Sequence, residues 1–153
     1  MTNFVLLLHE DLSLLKSWIA ADSWHTNTES PEWWFGGYIS FKLVDDRGVV
    51  LFVRFDREGE FVRLHTQFAP PSEVSEKRVA LAISDAIPRF SECAKIDGVK
   101  GIVTESISPK LIAFLCTRLG FQLDSGTDYV LLFDREENHD GQGTNTINTE
   151  YNA

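Results

Sequence analysis

The side chains of this chain best suited to chemistry are those that move protons. His65 lies within Phe61-Val62-Arg63-Leu64-His65-Thr66-Gln67-Phe68, and an imidazole changes charge close to working pH, as a general base must. The run alternates, with Leu64, Thr66 and Phe68 on one side and Arg63, His65 and Gln67 on the other, so a strand would present His65 to one face only. Which face that is stays open at this level. Glu105 ends a second apolar run, Val99 to Glu105, and supplies a carboxylate that could accept a proton. Cys116 carries a thiol whose ordinary pKa of about 8.5 allows it to give up a proton; a cysteine on a helix also serves as a small hydrophobe. His9, His25 and His139 have no metal-type spacing with Asp, Glu or Cys, so no metal site is expected. There is no glycine-rich P-loop and no nucleophile elbow.

The elements that must hold these residues are legible in the pattern. Phe4 to Leu8 reads as a first strand, and Asp11 is placed to cap a helix running to about Ala21, with Leu12, Leu15 and Ile19 on its apolar face. Ser23 to Gly37 carries Trp24, Trp33, Trp34 and Phe35, which suits a lid over one end of the core, an acceptor-binding wall or a homodimer interface. Tyr38 to Val44, Val49 to Asp56 and Phe61 to Phe68 form a meander of strands joined by Asp45-Asp46-Arg47-Gly48 and Arg57-Glu58-Gly59-Glu60. Beyond Pro70-Pro71, Val79, Ala82, Ile83, Ala86, Ile87 and Phe90 repeat at helical spacing, and Pro88 is expected to kink or interrupt that helix. Val99 to Phe133 reads as strand, helix and hairpin: Ser108 caps, Pro109 starts the helix, Ile112, Leu115 and Leu119 form its stripe and Gly120 stops it. Phe121 to Leu123 and Tyr129 to Phe133 then pair across Asp124 to Asp128.

A chain of 153 residues with 43% hydrophobic and 12% aromatic content suits one α/β domain with a full core, over residues 1–133. Residues 134–153 lack apolar periodicity and are expected to be a disordered acidic tail, with five acids against one arginine. The net charge of −9 argues against nucleic acid as the main partner. Phe4 to Leu8 is too short to span a membrane and lacks a signal peptide's basic flank, and Cys93 and Cys116 make no disulfide framework. The expectation is a soluble, cytoplasmic protein.

The order strand, helix, connection, meander, long helix, strand, helix, hairpin, ending in Ser108-Pro-Lys-Leu-Ile-Ala-Phe-Leu-Cys-Thr-Arg-Leu-Gly-Phe121, resembles the GNAT superfamily of N-acyltransferases over about Phe4 to Phe133. That resemblance implies a mixed, mainly antiparallel sheet of about seven strands flanked by helices. It implies acetyl-CoA as donor and an amine as acceptor, with the donor lying where Phe61 to Phe68 and Val99 to Glu105 splay apart. On that footing His65 or Glu105 is the base and Cys116 stands where many of these enzymes place an acidic Tyr. The cofactor side is Phe68, Ala69, Ser75, Lys77, Arg78, Val79 and Ala80, with Ser108 at the next helix start.

The family pattern of Gln or Arg, two residues, Gly, one residue and Gly or Ala falls on Ser75 to Ala80, where only Ala80 keeps it and Arg78 replaces the first glycine. Lys77 and Arg78 could bind phosphate by side chain. Equally, Ser72 could cap the helix with Glu73 and Glu76 as first-turn acids. The missing glycines and tyrosine also suit a GNAT-shaped binding or assembly module that has lost catalysis, as in small divergent members encoded by bacteriophages.

Overall fold

The computed structural model describes residues 2–22, 30–106 and 108–133. Trp24, His25 and His139, with the expected tail, lie outside the described residues. The elements in order are β1 (Asn3–Leu6), a 3-10 turn (His9–Asp11), α1 (Leu12–Ala21), a 3-10 helix (Pro31–Phe35), β2 (Ile39–Asp45), β3 (Gly48–Glu58), β4 (Phe61–Phe68), α2 (Glu76–Ile96), β5 (Gly101–Glu105), α3 (Pro109–Leu119), β6 (Gln122–Ser125) and β7 (Asp128–Leu132). They form one seven-stranded sheet in the order β1-β2-β3-β4-β5-β7-β6. All neighbours are antiparallel except β4 and β5, whose parallel pairing spans the crossover through α2. The expected α/β class and strand number are both present.

Alternation along β3 divides the core between the two faces of the sheet. Leu51, Val53 and Phe55 turn towards α2, where Phe55 stacks on Phe90 at 4.0 Å between ring centroids. Phe52 turns the other way and meets the edge of Trp18 of α1 at 5.1 Å. No described helix is long and apolar enough to cross a membrane.

Three local expectations are corrected. Asp11 does not cap α1 through its side chain; it is buried in the 3-10 turn, and its carboxylate accepts from the Leu8 N–H at 2.8 Å and from Lys42 Nζ at 2.7 Å. A tie to β2 outweighs a local cap. Pro88 does not interrupt α2, which runs from Glu76 to Ile96. It sits on the exposed side, where water can serve the carbonyl it leaves without an N–H, while Ile87 and Phe90 hold the helix to the sheet. The helix cap is Ser75 rather than Ser72: Pro70 O accepts from the Glu73 and Val74 N–H groups in a separate turn, and buried Val74 anchors it. By contrast, α3 starts and stops as its residues dictate. Ser108 Oγ accepts from the Leu111 N–H, and Gly120 closes the helix at φ 85°.

Gly101 is required for a different reason, since it starts β5 between β4 and β7. A Cβ there would lie 2.5 Å from Leu131 O and 2.8 Å from the Phe61 ring. Gly101→Ala is therefore expected to cost about 1–3 kcal/mol through overpacking, measured by urea unfolding. An unchanged midpoint would show that the strands separate easily here.

Candidate active site

The two parallel strands part partway along β4. Their shared rungs run from Phe61 and Gly101 to Leu64 and Thr104, and Thr104 Oγ1 donates to Leu64 O at 3.1 Å. β5 ends one residue later, at Glu105, whereas β4 continues through His65 to Phe68. Alternation puts the Thr66 backbone groups on the same edge as Leu64 O, beyond the last rung with β5. That edge offers an amide donor and acceptor to an extended chain. On the α2 and α3 side, Leu64, Thr66, Phe68, Thr104, Leu111 and Leu115 form one end of an apolar cavity of about 30 Å³ whose other walls are core residues of β2, β3 and α2, Phe55 and Phe90 among them.

His65 faces the opposite side of the sheet from that cavity. Its Nε2 is 3.1 Å from Asp56 Oδ2, and its ring meets the edge of Trp33 at 5.0 Å. Arg54 binds Asp56 through Nε and Nη2, lies 3.9 Å over the Trp33 ring, and donates from Nη1 to Trp33 O. A carboxylate beside an imidazole orients the ring, here through the Nε2 side that faces Asp56. Asp56 and Arg54 were not among the residues singled out from the sequence. Their signal was the β3–β4 hairpin, whose register pairs Arg54 with His65 and Asp56 with Arg63.

Glu105 would follow the last β4–β5 rung next to His65, on the same face by alternation. Its carboxylate is exposed and accepts from Thr127 Oγ1 at 3.0 Å, so it is turned towards the β6–β7 hairpin. Arg63 spans β5 on this face, gripping Asp128 with two hydrogen bonds of 3.0 Å and Glu58 with one of 2.7 Å. Those bonds, Asp128 first, raise its pKa, and hydrogen bonding from Arg63 in turn lowers that of Asp128. Cys116 is a half-buried free thiol on α3, whose wall of the cavity is formed by Leu111 and Leu115 instead. The structure thus brings His65 and Glu105 to one face and leaves Cys116 apart from them. Of the aromatic connection, Trp34 is buried like a lid residue, and Trp33 forms a wall beside His65.

The start of α2 is taken up by the chain's own groups. Ser75 Oγ accepts from the Arg78 N–H at 3.2 Å and Ser75 O from the Val79 N–H at 3.1 Å. Arg78 forms a two-pronged pair with Asp45 at the end of β2, at 2.9 and 2.7 Å. Glu76 accepts from Lys110 Nζ of α3 at 3.1 Å, and Glu73 accepts from Trp18 Nε1 at 3.1 Å. Lys77 is exposed, while Val79 and Ala80 are half-buried in the first turns of the helix. Phe68 and Ala69 pack against the core, and Ser108 caps α3. These residues do not fit a diphosphate: its expected guanidinium already holds a carboxylate, and two acids flank the helix start. The strand edge at Thr66 does fit an amide-bearing arm.

The Arg78–Asp45 pair carries a pH prediction. Hydrogen bonding from Arg78, foremost, holds the Asp45 carboxyl at about 2, below its ordinary 3.8. A carboxyl lowered in the folded state stabilises above its unfolded pKa and loses that contribution as pH falls through the folded value. About 1–2 kcal/mol is therefore expected to be present above about pH 4 and lost towards pH 2. The difference in unfolding free energy between the parent chain and Asp45→Asn should shrink across that window. A constant difference would show that the pair does not set it.

No protein-family model matches the sequence, and no curated protein does. Solved structures match over nearly the whole chain. The spermidine/spermine N-acetyltransferase of Vibrio cholerae superposes with a TM-score of 0.68 at 13% identity, covering 90% of this chain and 96% of that one. A GNAT family acetyltransferase from Staphylococcus aureus gives 0.61 at 12%, covering 88% and 100%. One from Brucella melitensis in complex with acetyl-CoA gives 0.58 at 14%, covering 87% and 88%. With its parallel β4–β5 junction and mainly antiparallel seven-stranded sheet, this chain has the fold of the GNAT acetyltransferases.

Proposed function

We propose that this chain is a GNAT-superfamily N-acyltransferase that moves an acyl group, acetyl in the first instance, from a thioester such as acetyl-CoA to an amine. The observation that carries this reading is the coincidence of the β4–β5 parting with the His65–Asp56 pair on the first residue beyond the last rung. The transfer breaks a C–S bond and forms a C–N bond, so the attacking nitrogen must lose a proton and the leaving thiolate must gain one. His65 is the acceptor for the first proton, with Asp56 stabilising the imidazolium that results, and the leaving thiolate takes its proton from solvent. Trp33 and Arg54 hold the pair in place. The test is amine-dependent release of free thiol from acetyl-CoA across primary amines, protein N-termini and lysine peptides. Amine-dependent thiol supports transfer, and its absence from the whole panel removes it.

A second reading is favoured by the start of α2, where acids and a filled guanidinium stand instead of the family's small residues. On that reading the chain is a catalytically silent GNAT-fold module for binding or assembly, of the small kind that bacteriophages encode. It predicts neither thiol release nor any rise in melting temperature with saturating acetyl-CoA.

A further inference from the structure

We infer that the donor is recognised through its amide-bearing pantetheine arm alone, and that the nucleotide end of coenzyme A adds no affinity. This rests on the acyltransferase reading above. The β4 edge at Thr66 lies beyond its last rung with β5 and is the kind of edge to which an extended amide chain adds by hydrogen bonding.

The charges at the start of α2 point the other way. Glu73, Glu76, Asp45 and Asp46 stand there against Arg47, Lys77, Arg78 and Lys110, so the bases are matched one for one by acids. Both Asp45 oxygens lie on Arg78, so an internal carboxylate fills the guanidinium fork that a phosphate would need. The Ser75 hydroxyl takes up the Arg78 N–H, one of the free donors of the first turn. Glu76 pairs with Lys110 of α3 at the surface, so a second cation beside the helix start already faces a carboxylate. A nucleotide end with its phosphates would have to break one of these pairs, and the desolvation and lost pairing would offset what it gained. The specificity that follows is for thioesters of pantetheine, with or without a nucleotide attached.

Calorimetric titration with pantetheine and with coenzyme A tests this on the intact chain. The expected result is dissociation constants within about threefold of each other, at low and at high ionic strength. The double variant Asp45→Asn, Glu76→Gln frees Arg78 and Lys110. It should tighten coenzyme A by about tenfold or more and leave pantetheine unchanged, with a thermal melt confirming that it is folded. Coenzyme A binding more than about tenfold tighter than pantetheine to the parent chain, with that advantage lost at high salt, would overturn the inference while leaving the acyltransferase reading intact. Binding of neither ligand would overturn both.

Discussion

His65→Ala is expected to lower amine-dependent thiol release by about 10²–10⁴-fold, the range in which a positioned general base contributes. The fall should appear in kcat, because the imidazole acts on the proton of the attacking nitrogen and does not anchor the donor. Asp56→Asn is the companion measurement. It keeps an oxygen for Arg54 but removes the negative charge behind the ring, so kcat should fall with little change in KM. The stability cost of His65→Ala should be small, about 1 kcal/mol or less, since the ring is partly exposed and Asp56 keeps its pairing with Arg54 when the ring is gone. A variant as active as the parent, or one in which only KM rises, would exclude His65 as the base and move attention to Glu105.

How much of this was legible in the residues depended on whether the deciding interaction was local. The bounds of β4 follow from its own alternation and the Gly59-Glu60 turn, and α3 is delimited by a serine cap and a glycine in the left-handed region. Both are decided within a few residues. The start of α2 is not, because Ser72 and Ser75 are equally good caps in isolation. Burial of Val74 and the pull of Trp18 on Glu73, 55 residues away in sequence, select the second. Asp11 fails in the same way, since Lys42 lies 31 residues ahead of it. In the candidate site, His65 and Glu105 could be named as titratable strand residues. Asp56 could be named only after the β3–β4 register had been worked out, with Arg54 opposite His65 and Asp56 one alternate position along. The Arg78–Asp45 pair was out of reach altogether. A basic residue in the first turn of a helix looks available to phosphate until the end of β2 is known to supply a carboxylate.

Phe55→Ala should have the largest effect on stability of any single substitution considered, at about 3–5 kcal/mol. Phe55 is 1% exposed and stacks face to face on Phe90 with an interplanar angle of 5°, and Phe41 packs beside it at 6.1 Å. It therefore joins β3 to α2, and truncation removes both the transfer free energy of the ring and its contacts with the two neighbouring aromatics. Against a total stability of about 5–15 kcal/mol for a domain of this kind, that loss should bring the urea midpoint down steeply with an unchanged slope. Phe55→Leu, which keeps most of the volume, should cost less, about 1.5 kcal/mol. The same site allows a check on the cleft. Phe55 lines the cavity between the sheet and α2, so its removal should enlarge an apolar space that is now about 30 Å³. An apolar void of ring size stays dry and accepts a small aromatic guest. Benzene should thus raise the melting temperature of Phe55→Ala and leave that of the parent chain unchanged. A loss below about 1 kcal/mol, or no response to benzene, would mean that α2 closes onto the sheet when the ring is gone.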